Sequence, residues 1–423
     1  MFRLSLLAPF ACGGALLLLL SCNAPTADTT VSEEPAPPMV QVEAESYLDA
    51  NGQVALQDLP EGEGVASEGT AWLAYAVDLP VAGRYRCEIQ LSAPEGGTAW
   101  LEDYYENKDG RTYNITGALS APAEPGFQVL SVDGSPLNRG AHPLKLHLEG
   151  KGLTVDWVRF TLMREHQPSP QTLTQATEGE EWSLVWADEF DGQGLPDTSK
   201  WTFDLGNWGW GNNEPQYYTE YRTENARQEN GNLIIEARKN DMDQPWTSAR
   251  LTTRGKTSFL YGKIEFRAKV PAGDGAWAAG WTLGDAYVDE LSWPYCGEID
   301  ILETTGKEID DATGEGINHA SCHTAAYYFK KNNHITATLP VDDLVNEFHT
   351  YAIEWDSNGV RAFLDGEHYY TYDKTADQLE WPFSQPQNLI INLAMGGGMG
   401  GEIDPALTSQ QLIVDYVRVY ERH

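Results

Sequence analysis

From about Met39 onward, apolar and polar residues alternate with a period of two over short runs. No segment shows the long 3.6-residue periodicity of an amphipathic helix. Ala71-Trp72-Leu73-Ala74-Tyr75-Ala76-Val77-Asp78-Leu79 reads as a strand, and Pro80–Gly83 turns it into the alternating run Arg84–Leu91. Leu144–Glu149, a Gly150-Lys151-Gly152 turn and Val155–Phe160 predict a closing hairpin. Further on, Lys263–Val270 alternates. Tyr351–Trp355 and Val360–Leu364 flank Asp356-Ser357-Asn358-Gly359, where Asn-Gly predicts a left-handed hairpin turn, and Leu412–Tyr420 predicts a last strand. Many short strands with Gly-rich turns define an all-β chain built of sandwiches.

Polar, Pro-containing breaks divide the chain. Residues 1–22 read as a targeting segment, 23–38 as a linker, 39–163 as a smaller β-sandwich, 164–181 as a second linker and 182–423 as a larger β unit. The apolar run ending at Leu20 is too short for a permanent membrane span. With Ser21-Cys22 it resembles a bacterial lipoprotein signal, in which Cys22 takes the lipid; a plain secretory signal with an incidental Cys is the alternative. The expectation is a secreted protein held at the outer membrane or cell surface by this lipid alone. Of 5 Cys, Cys87, Cys296 and Cys322 remain in the folded part. Three is an odd number, so buried free thiols are expected rather than a disulfide framework. The formal charge of −35 argues against nucleic acid as a partner and suits a neutral ligand. The 14 Trp and 20 Tyr serve either a β core or a surface that stacks on sugar rings.

The candidate chemistry lies in Trp293-Pro-Tyr-Cys-Gly-Glu298-Ile-Asp300-Ile-Leu-Glu303. In a regular strand Glu298 and Asp300 share a face, whereas Glu303, five residues from Glu298, falls on the other. A β-bulge near Ile301-Leu302 would restore it to the first face. Three crowded carboxylates cannot all ionise freely, so one should hold a proton near neutrality, as a general acid must. A solvated acidic edge and a calcium site are the competing readings.

These residues, together with Trp186–Phe190, Asn213–Thr219, Tyr261–Ala268, Cys322-His323-Thr324, Ile390–Gly397 and Asp415–Tyr420, resemble glycoside hydrolase family 16 in its laminarinase-like branch. The resemblance implies a jelly-roll sandwich and a retaining mechanism, with Glu298 as nucleophile, Glu303 as acid/base and Asp300 hydrogen-bonded to the nucleophile. It implies an endo-acting β-1,3-glucanase needing no cofactor for catalysis. The alternatives are an agarase, carrageenase or mixed-linkage glucanase, a transglycosylase, and a non-catalytic glucan-binding protein. Trp277, Trp281 and Trp293 are candidate sugar platforms, Trp293 foremost, with core packing as the alternative. His323, Asn212, Arg250 and Asn392 are polar candidates. Met399 stands where the family often has a Trp. Because Cys296 and Cys322 should face opposite ways, no bridge between them is expected.

The resemblance also implies a structural calcium ion held by Glu189, the Gly231 carbonyl and Asp415, unless these are ordinary charged strand residues. The unit 39–163 resembles a family 6-like carbohydrate-binding module. In that resemblance Glu43, Glu45 and Asp156 match calcium positions, and Thr154 replaces a common sugar-binding Asn, which leaves a spacer that binds nothing as the alternative. Nothing argues for more than a monomer.

Overall fold

The computed structural model describes residues 36–104, 111–174, 179 and 181–423. The signal segment, Cys22 and most of the first linker lie outside them. Among the described residues the helical pieces are only three or four residues long, and no helix is long and apolar enough to cross a membrane.

The N-terminal unit packs two sheets around Leu73, Tyr85, Ile89, Leu101, Leu146 and Phe160. Its central strand corrects the predicted hairpin. Gly140–Glu165 is one strand of 26 residues. Residues 140–150 pair with Ala71–Leu79 and Gly97–Tyr104, while 151–165 pair with Gly62–Glu68 and Gly83–Ala93. The chain changes sheets at Gly150 and Gly152, whose positive φ values make a corner instead of a reversal.

The larger unit stacks a 9-stranded sheet on a 10-stranded one. In the first, Ala276–Gly284 lies between Gln387–Met395 and Glu298–Thr305, which in turn pairs with Gly316–His323. In the second, Ser409–Arg422 pairs with Trp182–Asp188, Asn232–Asp241 and Gly262–Lys269. Phe266, Ile299, Ile301, Leu302, Ile353, Leu393 and Val417 are among the side chains that fill the space between them. The predicted pair Tyr351/Leu364 forms. Its turn, however, is closed by the Asp356 carboxylate, which accepts from the Asn358 and Gly359 N–H groups, and neither Asn358 nor Gly359 has positive φ. The left-handed turn lies one connection later, at Asp365-Gly366, where both φ values are positive.

The described residues of the second predicted linker are anchored at several points. The His166 N–H donates to the Ala82 carbonyl, and the Ser169 hydroxyl donates to Asp285. Thr172–Thr174 adds a parallel strand beside Ser258–Leu260. Trp208, Trp210, Tyr218 and Leu291 of the larger unit are buried in the core of the smaller one. Cys87, Cys296 and Cys322 are free and buried.

Candidate active site

The strand Glu298–Thr305 carries the acids. Opposite it, Gly280 pairs with Leu302 and Trp281 with Asp300, so Ile301 is the extra residue of a bulge. Ile299, Ile301 and Leu302 are all buried in the inter-sheet core. Glu298, Asp300 and Glu303 therefore emerge on the other face, where they line one cleft. A hydrophobic pair at the bulge thus converts an odd spacing into a shared face.

Each acid is held differently. Trp293 donates its Nε1–H to Glu298 Oε2 at 2.9 Å, and Trp277 donates its own to Glu303 Oε1 at 3.2 Å. His323 Nε2 lies 3.3 Å from Asp300 Oδ2 and 3.8 Å from Glu298 Oε1. Burial pushes the Glu298 carboxyl up to about 8; Asp300 and Glu303 add to the rise, while His323 and the Trp293 N–H oppose it. Burial alone lifts Asp300 to about 8. Burial, then Asp300, lifts Glu303 to about 8 against His323, His319 and the Trp277 N–H. The sequence predicts one acid as proton holder; in the folded chain burial raises all three, and they form one crowded group. Within it, the Trp293 N–H and the His323 ring favour the anion on Glu298.

The other predicted residues meet at the same cleft. Trp277, Trp281, Trp293, Asn212, Arg250 and Asn392 line it, and His323 stands behind the acids. Trp293 is not the open platform expected: it is 8% exposed and packs on Tyr328 and Phe329, with its N–H spent on Glu298. Trp277 and Trp281 are the half-buried rings. Asn392 accepts from Trp281 Nε1 and donates to the Tyr218 hydroxyl, so it fixes a platform. Arg250 lies between the Trp210 and Trp281 rings and donates to Asp204. Asn212 donates to Glu214. Sequence reasoning missed Glu214, Glu290, Trp208, Trp210, Tyr287 and Lys330 as cleft residues. The Trp-Gly-Trp spacing at 208–210 was the available signal.

The implied calcium sites fare differently. Glu189 accepts two hydrogen bonds from Arg418, and Asp415 is paired with Arg267. Both carboxylates already have cationic partners, so with Gly231 they do not fit a calcium ion. In the smaller unit, burial first and then Glu43, Glu45 and Glu61 push Asp156 upward, and Glu45 Oε2 is buried without a protein partner. Glu43 is exposed, however, and among the described residues the His and carboxylate atoms that converge are those of Glu298, Asp300 and His323, so Glu43, Glu45 and Asp156 are not drawn together around one ion.

The model of the glycosyl hydrolases family 16 matches residues 213–418. A beta-glucanase of Rhodothermus marinus is 46% identical over 249 residues, spanning 56% of this chain and 85% of that protein. The chain belongs to glycosyl hydrolase family 16. The X-ray structure of the laminarinase from Rhodothermus marinus aligns with a TM-score of 0.53 at 46% identity, covering 57% of this chain and 98% of its own. A glucan endo-1,3-beta-glucosidase A1 of Niallia circulans is 32% identical over 428 residues, which is 88% of this chain and 58% of that protein. The family 16 protein described here is thus a glycoside hydrolase with an all-β jelly-roll catalytic unit.

Proposed function

We propose that the chain is an endo-acting, retaining β-1,3-glucanase. The observation that carries this reading is the bulged strand that turns Glu298, Asp300 and Glu303 onto one cleft face beside Trp277 and Trp281. Glu298 attacks the anomeric carbon while Glu303 protonates the departing glycosidic oxygen, giving a covalent glycosyl-enzyme. Glu303, now anionic, then takes a proton from water, which displaces Glu298 and restores the starting configuration. Asp300, between them, shares their proton, and Trp293 orients the nucleophile through its N–H. The similarity to a laminarinase and to an endo-1,3-beta-glucosidase supports the choice of polysaccharide.

In the same reading the smaller unit is a carbohydrate-binding module and Cys22 carries a lipid that holds the enzyme at the cell surface. Support for both comes from sequence resemblance alone; lipid-derived mass on an N-terminal peptide beginning at Cys22 tests the second.

The decisive experiment compares products from laminarin, mixed-linkage β-glucan, agarose and κ-carrageenan. Laminarin oligosaccharides of retained configuration are expected, with Glu298→Ala lowering the rate by about 10⁴-fold or more. Cleavage of a galactan alone overturns the substrate, and wild-type activity in Glu298→Ala overturns the nucleophile.

A further inference from the structure

Behind the cleft, where the two units meet, lies a second cavity of about 230 Å³. Its wall holds Arg84 and Arg164 from strands Gly83–Ala93 and Gly140–Glu165 of the smaller unit, Arg254 and Lys256 from the larger, and His166. The chain carries a net charge of −35, yet here it gathers cations. The carboxylates in the wall are Asp204 and Glu165. Asp204 is shared between Arg84 at 3.1 Å and Arg250 at 3.0 Å, and Arg164 is engaged by Glu220 and the Phe203 carbonyl.

Arg254 is left over. It is 8% exposed and its guanidinium lies over the Tyr287 ring. Among the described residues its Nε and one Nη have no hydrogen-bond partner, and neither does Nη1 of Arg84. A buried guanidinium N–H without an acceptor carries a large desolvation cost, and uncompensated buried charge costs more. The surroundings feel the excess. Burial, with Arg84 and Arg250 adding to it, outweighs the pull of Asp204 and lowers the Arg254 pKa below its usual value. Burial, followed by Arg254 and Arg84, drives His166 down to about 4.

We propose that this junction is an anion site that takes a tetrahedral oxyanion, sulfate or phosphate, between Arg84, Arg254 and Lys256. Guanidinium forks from two different units converge on it, and three or more oxygens on one centre satisfy donors arriving from several directions, which a single planar carboxylate does not. The ligand bridges the units and fixes the wall that Asp204 shares with Arg250 in the cleft. The oxyanion is either the free ion or a sulfate ester on a polysaccharide, and the two sources are separable.

The test uses the full chain at constant ionic strength set with sodium chloride. Titration with sodium sulfate and with sodium phosphate is followed by thermal unfolding and by calorimetry. A saturable rise in Tm with a matching binding isotherm is expected. Arg254→Gln, and separately the less buried Lys256→Gln, should weaken the apparent affinity by about tenfold or more. Dextran sulfate is the second arm: saturation by the polymer but not by inorganic sulfate assigns the site to the ester, and saturation by inorganic sulfate assigns it to the free ion. A rise that stays linear in salt and is identical in both variants is the general effect of excluded salts and overturns the proposal.

Discussion

The molecule buries like charges together in two places, and they resolve the crowding differently. In the cleft, Glu298, Asp300 and Glu303 share one strand face, with the His323 ring beside Glu298 and Asp300. At the junction, Arg84, Arg250 and Arg254 gather around Asp204. A carboxylate escapes repulsion by taking a proton, whereas a guanidinium stays charged at any ordinary pH. The cleft therefore becomes a store of protons just where a glycosidic oxygen needs one. The junction must instead be neutralised by an anion, and Asp204 supplies a permanent one, held far below the usual carboxylate range by Arg84, Arg250 and Arg254 despite its burial. In the proposed mechanism the same electrostatic crowding yields an acid catalyst in one place and a structural clamp in the other.

Three substitutions probe that contrast. Glu303→Gln removes the transferable proton but keeps the shape and the Trp277 hydrogen bond; kcat on laminarin should fall by about 10² to 10⁴-fold with the circular dichroism unchanged. Asp204→Asn leaves the buried guanidiniums with no neutralising partner. Urea unfolding should show a loss of about 3 to 5 kcal/mol, and a loss near zero would mean the arginines are neutralised by something else. Asp300→Asn should lower activity and yet stabilise. The Asp300 carboxyl is raised in the folded state to about 8, against an ordinary 3.8. Between these values the folded chain binds more protons than the unfolded one, so stability falls as pH rises through the window. The variant lacks this penalty, so its Tm should exceed the wild type by an increment that is smallest near pH 4 and levels off above pH 8. A constant increment would place the raised pKa on the neighbouring glutamates.

Parity along one strand made the bulge legible: Glu303 lies five positions after Glu298, with Ile301-Leu302 as the apolar pair that must stay inside. Period-two alternation likewise exposed the strands themselves. It could not say where a strand changes sheets, because Gly150-Lys151-Gly152 suits a reversal and a corner equally well. Nor could it say that Trp293 would be covered, since Phe329 and Tyr328 approach it from another part of the chain. The junction arginines at 84, 164 and 254 meet only through tertiary packing. The polar stretch 164–181 reads as a spacer because most of the anchors among its described residues are polar, the Arg164 guanidinium, the His166 N–H and the Ser169 hydroxyl, which leave no hydrophobic period.

The anchoring of that stretch has a consequence for how the enzyme would hunt its polymer. A module on a slack tether can hold one strand while the catalytic unit samples many others. Here Trp208, Trp210, Tyr218 and Leu291 sit inside the neighbouring core, so the two units turn together like parts of a single casting. Any polymer gripped by the smaller unit would meet the cleft at one fixed angle and spacing. With a sugar-binding smaller unit, avidity in such a pair would be nearly all or none: polymers whose curvature matches the span would gain the whole of it, and the rest would gain nothing.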